Sequence, residues 1–558
     1  MKGKSGNIVR IVALFLLLLI PIFYALFAAI DLEYSWIKKI AYLAVVVVLL
    51  LVPGIFLKAR TYFIVEGIFN FFFFPIDIAS LYLNRQPTSL AFLGNIIHTD
   101  IHEAGELLLS MWPLSIAVIA LWCVYFVLAF RVENNPLLSS RFRKIVGVAA
   151  LAIGIGGVGA MMIFQLHTYR SKSVKELLVD SFDLAAKKLY KIYPYNLYME
   201  LSDIVRLQRQ QKRLQLEVDT FQFGVQALSQ DSVALYVLVI GEAARYDHFG
   251  INGYNRETTP LLSQQANLIS YDRAYSQANL TSYSVPLILT RASAQDPETA
   301  YQEKSLPEAF QEAGFRSGFL AKQLPTNLVT RIMHACDYEN YNAKSIDVDG
   351  NYDEDLVDVM RQYIGDSLQF FVLHSLGCHF RYEQRYPASF EKYTPVLGAH
   401  FSYSMISEAN KTPLINAYDN AILYTDYFLS SLINYLDSLD RPAVMLYMSD
   451  HGESFWDDAR KLSLHGSYQV SEYEYHVPLF VWYSDEYQQT RPEKVQAMLQ
   501  NKTTPVSSDV VFYSMLDMAG IGGTVVDSTR SICSPALCPY DTIFVHTGSG
   551  DVEKMVVR

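Results

Sequence analysis

The distribution of apolar positions divides the chain in two. Before about residue 167, apolar residues come in long uninterrupted runs. Five of these, roughly 11–30, 37–57, 62–83, 107–130 and 145–167, have the length of about 20 residues that a helix needs to cross a bilayer. The third is interrupted by Glu66, Asn70 and Asp77, polar groups that a bilayer tolerates only when they face protein or a water-filled cavity. After about residue 231 the pattern changes to short branched runs bounded by turn residues. Strands are predicted at 233–240, 316–320, 369–373, 443–448 and 478–483, and helices at 304–314, 353–364, 413–437 and 506–519. Such alternation predicts an α/β domain with a mostly parallel central sheet flanked by helices. Between the two regions, Leu201, Ile204, Leu207 and Leu214 recur at helical spacing among Arg and Gln. They suggest amphipathic helices that rest on a membrane surface or pack on the following domain. The expected organisation is therefore a five-span membrane domain at 1–167, bridging helices at 168–230 and a water-facing domain at 231–558.

Charge orients the spans. Lys2, Lys4 and Arg10 precede the first, Lys58 and Arg60 separate the second from the third, and Arg131, Arg141, Arg143 and Lys144 separate the fourth from the fifth. Positive loops stay cytoplasmic, so five spans carry everything after 167 to the far side, the periplasm of a Gram-negative bacterium. Lys38 and Lys39 run against this assignment. The first span lacks a small-residue cleavage site and is followed by further spans, which makes it an anchor rather than a leader. The net charge of −11 and the absence of a dense basic cluster argue against a nucleic-acid partner. Of the five cysteines, Cys533 and Cys538 are close enough in sequence to bridge, though spacing alone does not establish it. No Cys-x-x-Cys pair exists, so a metal would sit on oxygen and nitrogen ligands.

The strand ends carry the candidate chemistry, because in sheets of this kind ligands gather at the carboxyl ends of strands. Val237–Ile240 runs into Gly241-Glu242, Phe370–Leu373 into His374 and then His379, and Val444–Met448 into Ser449-Asp450-His451-Gly452-Glu453. Adjacent Asp450 and His451 offer a hard oxygen and an imidazole nitrogen, a combination suited to zinc, and Gly452 allows a sharp turn beside them. Glu242 reads equally as a ligand or as an acid opening a helix. Thr281, in Thr281-Ser282-Tyr283-Ser284-Val285-Pro286, sits where a helix cap is the ordinary reading. A nucleophilic role would need activation, which a metal and a helix N-terminus could supply. His379 and His465 would each pass as polar surface residues. Beside Glu242 and Asp450 they make room for a second metal or a phosphate. The polar loop from Asn95 to Glu106 reads as a capped connector or as a lip contacting lipid headgroups.

These segments resemble the membrane-bound phosphoethanolamine transferases, a family within the alkaline phosphatase/sulfatase superfamily that includes the lipid A transferases and the mobile colistin-resistance enzymes. The resemblance rests on Gly241–His248, Asn252–Pro260, Thr281–Pro286, Asn416–Ala421, Ser449–Ser454 and Leu464–Gly466, together with five spans ahead of the soluble domain. It implies that Glu242, Thr281, Asp450 and His451 hold zinc, and that Thr281 carries phosphoethanolamine covalently. It implies that His379 and His465 hold phosphate or a second zinc, giving one zinc ion or two. It also implies that Asn95 and Glu103 contact the lipid substrate. The sequence departs from the family's pattern at Ala243, at Asn279-Leu280, at Phe380-Arg381-Tyr382 and in its low cysteine content.

The function implied is transfer of phosphoethanolamine from phosphatidylethanolamine to lipid A or the lipopolysaccharide core, by a monomer in the bacterial inner membrane whose catalytic domain is periplasmic. Masking phosphate charge in this way would weaken polymyxin binding. Within the superfamily the alternatives are a membrane-anchored sulfatase and a phosphoglycerol transferase. Thr281 lacks the Cys/Ser-x-Pro-x-Arg context of sulfatases. A different class is a non-catalytic membrane sensor that only binds metal or lipid.

Overall fold

A computed structural model of the chain describes residues 2–24, 27, 36–83, 112–168, 221–228, 231–323, 327–341, 352–398, 405–467, 469–548 and 550–557, with isolated positions between 177 and 220. Asn95 and Glu103 lie outside the described residues, as does most of the expected bridging region. The chain divides into two compact units, one of residues 1–94 and 111–207, the other of 95–110 and 208–558.

The first unit contains helices α1 (Lys2–Phe23), α2 (Trp36–Leu51), α3 (Ala59–Leu83), α4 (Trp112–Phe130) and α5 (Ser140–Thr168). They fall on the five apolar runs. Among the described residues, two segments, Gly6–Phe23 and Ser140–Ile163, are long and apolar enough to cross a membrane, and Lys39–Ile55 and Ser115–Phe130 are shorter apolar stretches. Leu14, Leu18, Val46, Leu50, Tyr62, Phe63, Trp122 and Tyr125 form the interior. The Tyr125 hydroxyl donates to the Phe63 carbonyl at 2.8 Å. The outer faces are apolar as well: Ile8, Leu16, Val148, Leu151 and Ile155 are all exposed. Water would penalise so much apolar surface.

The second unit is built on a seven-stranded sheet of β1 (Ala234–Gly241), β2 (Leu268–Tyr271), β3 (Arg316–Ala321), β4 (Tyr338–Tyr341), β5 (Leu368–His374), β6 (Ala443–Ser449) and β7 (Leu479–Tyr483), in the order β2-β7-β6-β1-β5-β3-β4. From β6 to β4 every pairing is parallel, while β7 runs antiparallel to both neighbours. All eight residues of β1 are buried because the strand lies at the centre with helices on both faces. On one side pack α6 (Thr281–Leu289), α7 (Leu306–Glu312), α8 (Asn327–His334) and α11 (Val510–Met518), against Tyr236, Leu238, Ile240, Phe370 and Val372. On the other pack α9 (Asp355–Arg361) and α10 (Lys411–Asp437), against Val237, Val239, Phe371 and Leu373. Phe371 is fully buried, and its truncation to Ala costs about 3–5 kcal/mol.

The five predicted strands are all present. The pattern missed β2 and β4, which lie at the two edges of the sheet, where half-exposed or polar sequences such as Tyr338-Glu339-Asn340-Tyr341 suffice. It also gave no sign that β7 is reversed, because an all-apolar run reads the same in either direction. Cys533 is buried and Cys538 exposed, and both are free thiols, so the pair does not bridge.

Candidate active site and metal centre

Register fixes the centre of the site. β1 and β6 pair in parallel with Gly241 opposite Ser449, so Glu242 and Asp450 leave the sheet side by side. The Asp450 amide donates to the Gly241 carbonyl at 3.0 Å, and the Ala243 amide returns to Asp450 Oδ1 at 3.1 Å. Ala243 takes a left-handed φ of 53°, sparsely populated for a residue with a Cβ. The loop after β5 presses on the same point. The Cys378 amide donates to the Glu242 carbonyl at 2.9 Å, and a Cβ on Gly377 would lie 2.9 Å from the Glu242 backbone, so only glycine fits there. Buried Asp353 holds this loop by accepting from the Leu376 and Gly377 amides at 2.7 and 2.9 Å.

Thr281 is the first residue of α6, and Leu280 occupies the cap position without a side-chain bond. The threonine hydroxyl therefore does not serve as the cap. It lies 3.1 Å from Glu242 Oε2 and 3.1 Å from His451 Nε2. His451 Nδ1 faces the Gly452 carbonyl at 2.8 Å, and a carbonyl can only accept, so Nδ1 carries the hydrogen and Nε2 presents a lone pair. Asp450 Oδ1 accepts from the Ala243 and His451 amides. Its Oδ2 is buried without a hydrogen-bond partner among the described residues, 3.5 Å from His451 Nε2. Glu242, Asp450 and His451 are fully buried. Burial, and then the Asp450 charge, push the Glu242 carboxyl well above its usual range, while burial lowers His451.

Acceptors are thus in excess. Glu242, Asp450 Oδ2 and His451 Nε2 converge where, among the described residues, the hydrogen-bonding donors to them are the Thr281 hydroxyl and Gln323, whose amide donates to Glu242 Oε2 at 2.9 Å and to the Ser375 carbonyl at 2.8 Å. Buried acceptors without donors are costly. A cation with oxygen and nitrogen ligands fits this set, and zinc matches its donor types. Ligand atoms of Glu242, His451 and His465 lie within 4.8 Å of one another, which adds His465 to the cluster.

His379 and His465, alike in the sequence, differ in the structure. His465 Nδ1 bonds Glu453 Oε1 at 3.1 Å, and its ring lies 4.1 Å from that of His451. Burial opposes its charge, but Glu453, Glu242 and Asp450 outweigh burial and raise it to about 9. His379 donates Nδ1 to the Phe380 carbonyl, and burial, Arg385 and His465 lower it to about 3. One ring is a cation at neutral pH and the other is neutral. His374 stays in the core as the last residue of β5, with both ring nitrogens unpartnered among the described residues and its pKa lowered by burial to about 4.

Several supporting residues went unassigned in the sequence. Glu453 orients His465 and accepts from the Tyr382 hydroxyl at 2.9 Å. Gln323 follows β3 by two residues, so the strand-end rule that found Glu242 could have found it. Gly452 serves close approach rather than a special turn, since a Cβ there would collide with the Tyr473 carbonyl. The Asn252–Pro260 motif proves to be scaffolding: Asp419 on α10 takes His248 at 2.6 Å and Arg256 at 2.7 Å, pinning the loop that follows Glu242.

Residues 234–521 match the Sulfatase family model. The Kdo(2)-lipid A phosphoethanolamine 7''-transferase of Escherichia coli is 33% identical over 296 residues, covering 50% of this chain and 49% of that one. Phosphoethanolamine transferase EptA of Salmonella typhimurium is 32% identical over 328 residues, covering 55% and 57%. The chain thus spans about half the length of these curated relatives in alignment. EptC of Escherichia coli aligns over 87% of this chain and 85% of its own at 24% identity. Among solved structures, the integral membrane phosphoethanolamine transferase EptA of Neisseria meningitidis superposes with a TM-score of 0.73 at 20% identity, covering 95% of this chain and 98% of that one. The periplasmic domain of Escherichia coli EptC in complex with Zn gives 0.54 at 23%, covering 60% and 94%. With more than half its length matched by that family model, this chain belongs to the sulfatase family, among relatives that are phosphoethanolamine transferases.

Proposed function

We propose that this protein is a multi-pass inner-membrane enzyme that moves phosphoethanolamine from phosphatidylethanolamine to lipid A or the lipopolysaccharide core, through a covalent intermediate on Thr281. The observation that carries the reading is the Thr281 hydroxyl lying 3.1 Å from both Glu242 and His451, residues delivered by two adjacent parallel strands. The curated relatives are named for phosphoethanolamine transfer, two of them as Kdo(2)-lipid A phosphoethanolamine transferases, which supports the substrate class.

In the reaction Thr281 Oγ1 bonds to phosphorus while the bond to the diacylglycerol oxygen breaks. The hydroxyl proton leaves Thr281 to the Glu242 carboxylate, and His465 in its protonated form protonates the departing diacylglycerol oxygen. An acceptor oxygen then displaces Thr281, giving its proton to His465, while Thr281 regains its own from Glu242. Glu242, Thr281, Asp450 and His451 would hold zinc, which when bound lowers the pKa of the hydroxyl and neutralises the surrounding acids. The first turn of α6 favours the phosphate's negative charge. The five apolar helices serve as spans that keep this site at the membrane surface, where both substrates are lipids. Mass spectrometry of lipid A and core from cells with and without the gene tests the proposal. Phosphoethanolamine should appear only with the active gene and vanish with Thr281→Ala, and unchanged lipids in cells that express the protein would refute it.

A further inference from the structure

Glu474 is a fully buried carboxylate outside the metal cluster, and its oxygens reach three loops at once. Asn279, two residues before Thr281, donates Nδ2 to Oε2 at 2.7 Å. Ser454, beside Glu453, donates to Oε1 at 2.9 Å. Ser467, two residues after His465, lies 3.0 and 3.1 Å from the two oxygens. Backbone bonds close the same ring: Gly466 donates to the Asn279 carbonyl at 2.9 Å, Asn279 Nδ2 to the Ser467 carbonyl at 2.9 Å, and Gly452 to the Glu474 carbonyl at 2.7 Å. We propose that Glu474 is a positioning residue for the transfer reaction, a single carboxyl group that locks the nucleophile segment, the metal-ligand loop and the His465 loop in register. The inference rests on the function proposed above.

The hydrogen-bond count says which form locks best. Ser467 has one hydroxyl proton and also lies 2.8 Å from the Gln469 carbonyl. When that proton goes to Gln469, Ser467 can only accept from Glu474, so the carboxyl group must carry a hydrogen. Asn279 and Ser454 face it as neutral donors and Ser467 as a neutral hydroxyl, and His465 and Arg460 are the charged groups acting on it. Burial outweighs them and raises Glu474 to about 7. Ionisation therefore loosens the three loops, by linkage, as pH rises through that value. A glutamine amide supplies the missing donor at every pH.

The test uses the full chain in detergent, comparing wild type, Glu474→Gln and Glu474→Ala. Hydrogen exchange, corrected for intrinsic rates, is followed in peptides covering 278–284 and 463–470 from about pH 5.5 to about pH 8.5. The wild type should lose protection in both peptides through about pH 7, and the Gln variant should keep it throughout. The Ala variant should lose protection in both at all pH values, with kcat down about 10- to 100-fold and KM within about threefold. If the Ala variant fails to fold, the Gln variant and the wild type decide the matter. Equal protection in all folded forms, or a Gln variant whose exchange follows the wild-type pH dependence, overturns the proposal. Absence of phosphoethanolamine transfer by wild type overturns the function proposed above, and the exchange results still report on the lock.

Discussion

Glu242 and Glu474 are both fully buried acids, and the protein accommodates them in opposite ways. Around Glu474 an amide and a hydroxyl donate, and a second hydroxyl pairs with the protonated carboxyl group. Around Glu242 the neighbours are mostly acceptors, and Asp450 Oδ2 has no partner among the described residues. The difference teaches how to separate a structural acid from a ligand. A carboxylate surrounded by donors is complete, whereas one surrounded by other acceptors calls for a cation. Burial alone, which raises the proton affinity of both, does not tell them apart.

The comparison breaks most sharply at Thr281. Thr281→Ala should lower turnover by about 10⁴-fold while leaving the fold intact, because the hydroxyl makes no cap; stopped assays on purified protein would show it. Chelation comes next. Removing metal should abolish activity and lower the melting temperature of wild type, with zinc restoring both; in Glu242→Gln the melting temperature should barely respond. A wild type indifferent to chelator would erase the distinction between the two acids. Replacing His465 with Gln should reduce kcat by about 10²-fold by removing the proton donor. In chelated protein its charge adds about 2 kcal/mol through Glu453. Because folding raises this pKa, that stability is complete below the unfolded value of 6.5 and is lost as pH rises through about 9, which denaturant titration would reveal. Gln323→Ala frees one Glu242 oxygen and should cost about tenfold in metal affinity, measured by competition with a chelating dye.

The other buried acid, Glu474, is tested by pH. Its folded pKa of about 7 lies above the ordinary glutamate value of 4.5, so the folded state binds the extra proton and stability falls as pH rises through that window. Glu474→Gln removes the loss and should stabilise the domain by about 2 kcal/mol at alkaline pH, with little change at acidic pH.

The sequence made legible whatever depends on strand periodicity. Glu242, Asp450 and His451 sit at strand ends because an apolar run of fixed length must stop where the sheet does; the structure brings Glu242 and His451 to Thr281, and Asp450 to His451. Edge strands β2 and β4 were not legible, since they are half exposed and carry weak patterns. Neither was the division between His379 and His465, which depends on Glu453 reaching one ring and Arg385 the other across loops that no local pattern encodes. Glu474 was invisible for the same reason. Its partners at 279, 454 and 467 come together only in the folded domain.

The most direct test of the central claim is peptide mass spectrometry of the purified, zinc-loaded protein after brief incubation with phosphatidylethanolamine. The account predicts a phosphoethanolamine adduct on the peptide bearing Thr281, absent from Thr281→Ala and discharged when lipid A is added. Turnover with no adduct on Thr281, or an adduct on another residue that forms and discharges at the same rate, would contradict it.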